Sequence, residues 1–177
     1  MVSIVRKARS GTTEMRFAGV QGESVTHGFT RGVRLGVDVG QVRVGVAKCD
    51  PDGILASPVA TVARDQLAGA DEVPADMAEL ARLAEEHEAV EVVVGLPVAL
   101  NGREGVAAGH VRAYVQRLGV ILAPRPVVLS DERMSTVVAS RRLSERGVRG
   151  RRQRAVVDQA AAVEILQGWL DAQRRQT

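Results

Sequence analysis

Residues 34–47 read Arg34-Leu35-Gly36-Val37-Asp38-Val39-Gly40-Gln41-Val42-Arg43-Val44-Gly45-Val46-Ala47. Leu35, Val37 and Val39 alternate with Arg34, Gly36 and Asp38, the period of a β-strand with two distinct faces. Gly40-Gln41 is turn chemistry. Val42, Val44 and Val46 then resume the alternation, so the stretch predicts a β-hairpin. Pro51-Asp52-Gly53 marks a further turn. It delivers a third strand over 57–62, placed at an edge because Pro58 cannot donate to a ladder.

Downstream the period changes. Met77, Leu80, Leu83, Ala84 and His87 recur at helical spacing within 73–87. Residues 89–96 form a continuous valine-rich run, which suits a strand covered on both faces. Residues 102–109 read as a glycine-rich loop and 110–118 as a helix with Val111, Tyr114, Val115 and Leu118 on one side. A second buried strand follows at 126–129. Residues 135–146 predict a helix closed by Gly147, with Val148 placed for a Schellman-type contact. A last helix covers 153–172. Three antiparallel strands followed by α, β, α, β, α and α define an α/β layer fold, with a mixed central sheet of about five strands flanked by helices. Residues 1–30 mix Gly, Ser, Thr and Arg without a sustained period. They predict a flexible N-terminal extension, or sequence upstream of a later start at Met15. The folded domain spans 31–173.

A chain of 177 residues is one domain's length, and a 45% hydrophobic content excludes a disordered chain. The longest run without a polar side chain, 92–100, is interrupted by Gly95 and Pro97. It falls far short of the roughly 18 residues a membrane span requires. Aromatics make up 2% (Phe17, Phe29, Tyr114 and Trp169), too few for a base-stacking platform. The single Cys49 excludes an intrachain disulfide, and the basic first ten residues lack a following apolar signal segment, so a cytoplasmic protein is expected. His27, His87 and His110 match no zinc-ligand spacing.

Three acidic positions stand out. Asp38 sits inside an otherwise apolar strand, where a carboxylate is costly unless it meets a cation or donors. The alternative is a strand-end Asp closing a turn with Gln41. Asp131-Glu132 follows the buried strand directly, at the carboxyl end where ligands gather in open α/β sheets. Capping of the next helix is the competing role there. On the last helix, Asp158 shares a face with Ala162, Ile165, Leu166 and Trp169, which directs it toward the core. A buried salt bridge to an arginine is the alternative. Converging carboxylates repel unless divalent cations neutralise them, and Mg²⁺ or Mn²⁺ favours such oxygen ligands. Two metals roughly 4 Å apart suit phosphodiester cleavage.

These residues carry a resemblance. Asp38 through Ala47 is similar to the D-x-G-x-x-R-x-G-x-A opening of the YqgF family, relatives of the Holliday junction resolvase RuvC with an RNase H-like fold. Gly95-Leu96-Pro97 with Gly102 resembles the family's GLP-xxxx-G motif, and Asp131-Glu132-Arg133-Met134-Ser135-Thr136 resembles DER[LM][ST]T. Asp158-Gln159-Ala160-Ala161-Ala162 with Ile165-Leu166 resembles its closing D-x-x-A-A-x-x-[IL]-L helix. The four motifs occur in order from residue 31 to about 171.

The resemblance implies Asp38, Glu132 and Asp158 as metal-binding catalytic acids with Mg²⁺ or Mn²⁺, and Asp131 as a participant. It implies Arg43 and Arg133 as phosphate- or site-ordering residues. Resolvases of the RuvC type use four acids, whereas the region after the central strand here reads Leu96-Pro97-Val98. Glu104 in the following loop is the candidate substitute.

The segment 141–154 holds seven arginines (Arg141, Arg142, Arg146, Arg149, Arg151, Arg152 and Arg154) against Glu145 alone. Arginines on a helix end and loop suit phosphate contacts, the alternative being a solvated charged face. The implied function is a metal-dependent endonuclease trimming the 5′ end of the 16S rRNA precursor. Its rivals are a resolvase of branched DNA, for which a homodimer is expected, and a nucleic-acid-binding module without catalysis. An actin-like ATPase, which also opens with D-x-G, needs two lobes and a longer chain.

Overall fold

The structure is a computed structural model that describes residues 30–69, 71–97, 105–131 and 151–175. The elements run β1 (Arg34–Val39), β2 (Arg43–Cys49), β3 (Ala56–Ala63), α1 (Ala75–Glu86), β4 (Glu91–Leu96), α2 (Val106–Leu122), β5 (Val127–Asp131) and α3 (Arg151–Arg174). The sheet has five strands in the order β3-β2-β1-β4-β5. β1 pairs antiparallel with β2, and β2 with β3, whereas β1, β4 and β5 run parallel. This is the mixed five-stranded sheet that the sequence pattern predicts, and it fits the RNase H-like fold that the resemblance implies.

Alternation along each strand sorts residues into two cores. Leu35, Val37, Val44, Val46, Val92 and Val94 pack against α1 and α2, where Leu80 and Leu118 are fully buried. Ala47, Cys49 and Val93 face the opposite way and meet Ala162, Ile165, Leu166 and Leu170 of α3. Each fully buried leucine or valine contributes about 1.5–3 kcal/mol relative to exposure. The sheet is thus the middle of three layers.

The α3 layer lies unusually close. A Cβ at Gly36 would approach the Leu166 Cβ to 2.5 Å. At Gly45 it would meet the Asp158 carbonyl oxygen at 1.9 Å, well inside van der Waals contact. The two glycines of the opening hairpin therefore let a helix backbone rest on strand backbone.

Element bounds differ from the sequence expectation where end chemistry decides. α1 begins at Ala75, because Pro74 takes the N-cap position and the Asp65 carboxylate accepts the Ala75 N–H at 3.0 Å. β2 continues to Cys49, in register with Ala56. Within the stretch expected as a glycine-rich loop over 102–109, α2 already starts at Val106, and it runs to Leu122. Ala108, Val111, Tyr114, Leu118 and Leu122 form its buried stripe, while Gly109 has open space around it and costs no packing. The helix expected over 135–146 and the extension 1–29 lie outside the described residues.

Candidate active site

Asp38 is the penultimate residue of β1 and only 4% exposed. Two positions on from Gly36, it shares the face of the sheet that α3 covers. Its Cα partner on β2 is Gly45, the residue pressed against the Asp158 backbone. The absence of a side chain at Gly45 is therefore what lets the α3 backbone at Asp158 rest on the β2 residue paired with Asp38.

Asp158 is held by Arg43. The guanidinium Nε donates to Asp158 Oδ2 at 2.7 Å, with the two side chains 29% and 26% exposed. The arginine partner weighed as an alternative for Asp158 is thus present. Asp158 meets the sheet with its backbone, while its side chain stays partly solvated. Arg43 opens β2, and its carbonyl accepts the Gly40 N–H at 2.9 Å, closing the turn that follows Asp38. A Cβ at Gly40 would come within 2.7 Å of that carbonyl, so the tight turn requires glycine.

On the parallel side, β5 ends at Asp131 opposite Leu96, and Ser130 pairs with Gly95. Asp131 thus closes a strand whose carboxyl end lies on the same sheet margin as that of β1. Glu132, Arg133, Glu104, Arg141, Arg142 and Arg149 lie outside the described residues. Arg151, Arg152 and Arg154 occupy the first turn of α3, the helix that carries Asp158. Among the described residues no three of His, Cys, Asp or Glu cluster as a complete metal site. Asp38 and Asp158 supply carboxylate oxygens of the kind Mg²⁺ and Mn²⁺ take, and Glu132 is the third candidate donor.

Sequence reasoning passed over a second charged cluster behind the hairpin turn. Asp76 of α1 is 1% exposed, accepts the Tyr114 hydroxyl at 3.0 Å, and lies 3.1 Å from Arg64 Nε. Burial, followed by the Asp76 charge, pushes the Tyr114 phenol well above its ordinary value. The signal was available, because Asp76 precedes Leu80 and Leu83 at i+4 and i+7 on the apolar stripe. Arg34 was likewise unremarked. It is buried, pairs with Glu91 at 3.0 Å and sits 5.4 Å from the centroid of the Trp169 ring.

A mixed sheet in this order, covered on one face by a helix that docks through glycines, defines an RNase H-like α/β domain. Residues 32–172 match the family model described as RuvX: Holliday junction resolvase. A relative from Rhodococcus erythropolis, named "Putative pre-16S rRNA nuclease", is 54% identical over 145 residues, covering 82% of this chain and 81% of its own. Like-named relatives from Streptomyces avermitilis (55% identity, 83% of this chain and 90% of its own) and Mycolicibacterium smegmatis (54%, 81% and 83%) align similarly. Among solved structures, T. thermophilus RuvC in complex with a Holliday junction substrate matches at a TM-score of 0.46 and 12% identity, over 81% of this chain and 96% of that one. The chain belongs to the RuvX (YqgF) family.

Proposed function

We propose that this chain is a divalent-metal-dependent endonuclease that hydrolyses phosphodiester bonds at the 5′ end of the 16S rRNA precursor. The observation that carries the reading is the register of Asp38 with Gly45, on which the Asp158 backbone rests, with Arg43 bound to the Asp158 carboxylate. The names of the relatives support the RNA substrate. No helix among the described residues is long and apolar enough to cross a membrane, in keeping with a cytoplasmic role in ribosome maturation.

Asp38, Glu132 and Asp158 would hold Mg²⁺ or Mn²⁺, with Asp131 and Glu104 as additional acids. When bound, the metal supplies an activated water and neutralises charge developing at the scissile phosphate. The chain's own residues do the rest. Burial of Asp38 keeps its carboxylate oriented toward the α3 layer. Arg43 holds Asp158 by a charge-assisted hydrogen bond, the stronger kind. Arg133, Arg141, Arg142, Arg149, Arg151, Arg152 and Arg154 grip substrate phosphates, which demands no aromatic stacking.

The test is Mn²⁺-dependent cleavage of a 16S precursor fragment beside a four-way DNA junction. RNA cut at a defined 5′ position, with the junction intact, supports the proposal. Symmetric junction cleavage by a homodimer, which light scattering would detect, supports the resolvase reading that the family description favours. Binding of both substrates without cleavage supports a binding module.

A further inference from the structure

The turn between β1 and β2 carries Asp38 on one side and Arg43 on the other, so its conformation sets how those two side chains face each other. Both peptide groups of Gly40 are fastened. Its N–H goes to the Arg43 carbonyl, and its own carbonyl accepts Arg64 NH1 at 2.9 Å. Arg64 lies just past β3, where its backbone N–H donates to the Val42 carbonyl at 2.9 Å. Its side chain therefore reaches from the end of one strand to the turn between two others.

Arg64 is itself held on two sides by residues of other elements. Asp76 of α1 is 3.1 Å from its Nε, an ionic contact in which the N–H is not aligned for a hydrogen bond. The Tyr114 ring of α2 lies 4.6 Å from its guanidinium carbon, within cation–π range. The Tyr114 hydroxyl fixes Asp76, and Asp65 N–H adds a contact to the other Asp76 oxygen at 3.4 Å. Gln66 donates through its side chain to the Gln41 carbonyl, so the next turn residue is held from the same segment. A planar guanidinium does three jobs here at once, and an ammonium cannot reproduce them.

We propose that Arg64, oriented by Asp76 and Tyr114, is a positioning residue that locks the Gly40 carbonyl and thereby the relative placement of Asp38 and Arg43. It touches neither substrate nor metal. It acts through the turn, and its role rests on the nuclease reading above. Loosening the turn is expected to lower metal affinity and turnover more than substrate affinity, because Asp38 and Asp158 are metal-facing in that reading whereas phosphate grip lies elsewhere.

The experiment uses the full chain with Arg64→Lys, which keeps the positive charge beside buried Asp76, and Tyr114→Phe, which removes only a hydroxyl. Amide exchange of Gly40 is read by NMR without metal, Mn²⁺ affinity by calorimetry, and cleavage of the 16S precursor fragment under saturating Mn²⁺. In Arg64→Lys, Gly40 exchange is expected to rise at least tenfold while the β4 amides are unchanged. Mn²⁺ affinity is expected to fall about tenfold and kcat likewise, with KM for RNA within twofold. Tyr114→Phe should move the same three readouts in the same direction by a smaller factor. Unchanged Gly40 exchange, or unchanged Mn²⁺ affinity in a folded Arg64→Lys protein, overturns the proposal, even if the melting temperature drops. A wild-type chain that binds no Mn²⁺ refutes the nuclease reading instead, and Gly40 exchange then still decides whether Arg64 holds the turn.

Discussion

Tyr114 shows how a single side chain can report on the interior. It is the chain's one tyrosine, so its ultraviolet titration has no competing signal. Burial first and the Asp76 carboxylate second both disfavour tyrosinate beside it, while Arg64 acts weakly the other way. The folded pKa is raised above the unfolded value of about 10. The protonated phenol thus contributes stability that is intact below about pH 10 and drains as pH climbs toward the folded pKa. Spectrophotometric titration of the folded chain should show Tyr114 ionising well above about pH 10, and Tyr114→Phe should lose stability less steeply in that range. Ordinary titration near pH 10 in the folded state would contradict the buried Asp76 contact. Asp38 poses the complementary case, an acidic side chain only 4% exposed on the face that α3 covers. An acid so placed is costly to bury unless partners offset it.

At the scale of elements, the hairpin and α3 form one unit, joined through Gly36 and Gly45. Gly45→Ala would set a methyl 1.9 Å from the Asp158 carbonyl oxygen, against backbone that cannot swing aside. We expect a loss of about 2 kcal/mol or more in denaturant unfolding, together with weakened Mn²⁺ binding as α3 is displaced. A variant as stable as the parent would show that α3 does not rest on the strand as described. Much of this unit was legible in the sequence. Strict alternation in 34–47 encodes two strands, and the apolar spacing Ala162, Ile165, Leu166 encodes the docking face of α3. What escaped was pairwise and non-local. The Arg43–Asp158 bond spans residues 115 apart, and no periodicity announces which arginine meets which acid. Nor does local composition separate a glycine that loosens a loop from one that a helix absorbs. Gly109 looked like loop and is helix because neighbouring alanines and the buried stripe of α2 outweigh it. Arg64 and Asp76 went unremarked, although Asp76 falls on the apolar stripe of α1.

For the whole chain, a net charge of +3 conceals two unlike stretches. Residues 61–100 hold two basic and nine acidic side chains, whereas 131–177 hold ten basic and six acidic. A polyanionic substrate is expected to favour the basic 131–177 stretch over the acidic 61–100 stretch. Replacing Arg149 and Arg152 together with alanine should weaken RNA binding and flatten its dependence on salt by roughly two phosphate contacts. An unchanged salt slope would assign those arginines to a solvated face instead. With 2% aromatics, affinity for single strands should show little base preference. The central claim is that carboxylates gathered between β1 and α3 bind metal and cut RNA, and it is tested most directly by one comparison. Wild type and Asp38→Asn are incubated with the 16S precursor fragment across a Mn²⁺ titration, after circular dichroism has established that both are folded. The expected result is metal-dependent cleavage by the wild type and a loss of about a thousandfold or more in Asp38→Asn, with RNA binding retained. Equal cleavage by the two proteins would contradict the assignment of Asp38 to the metal site.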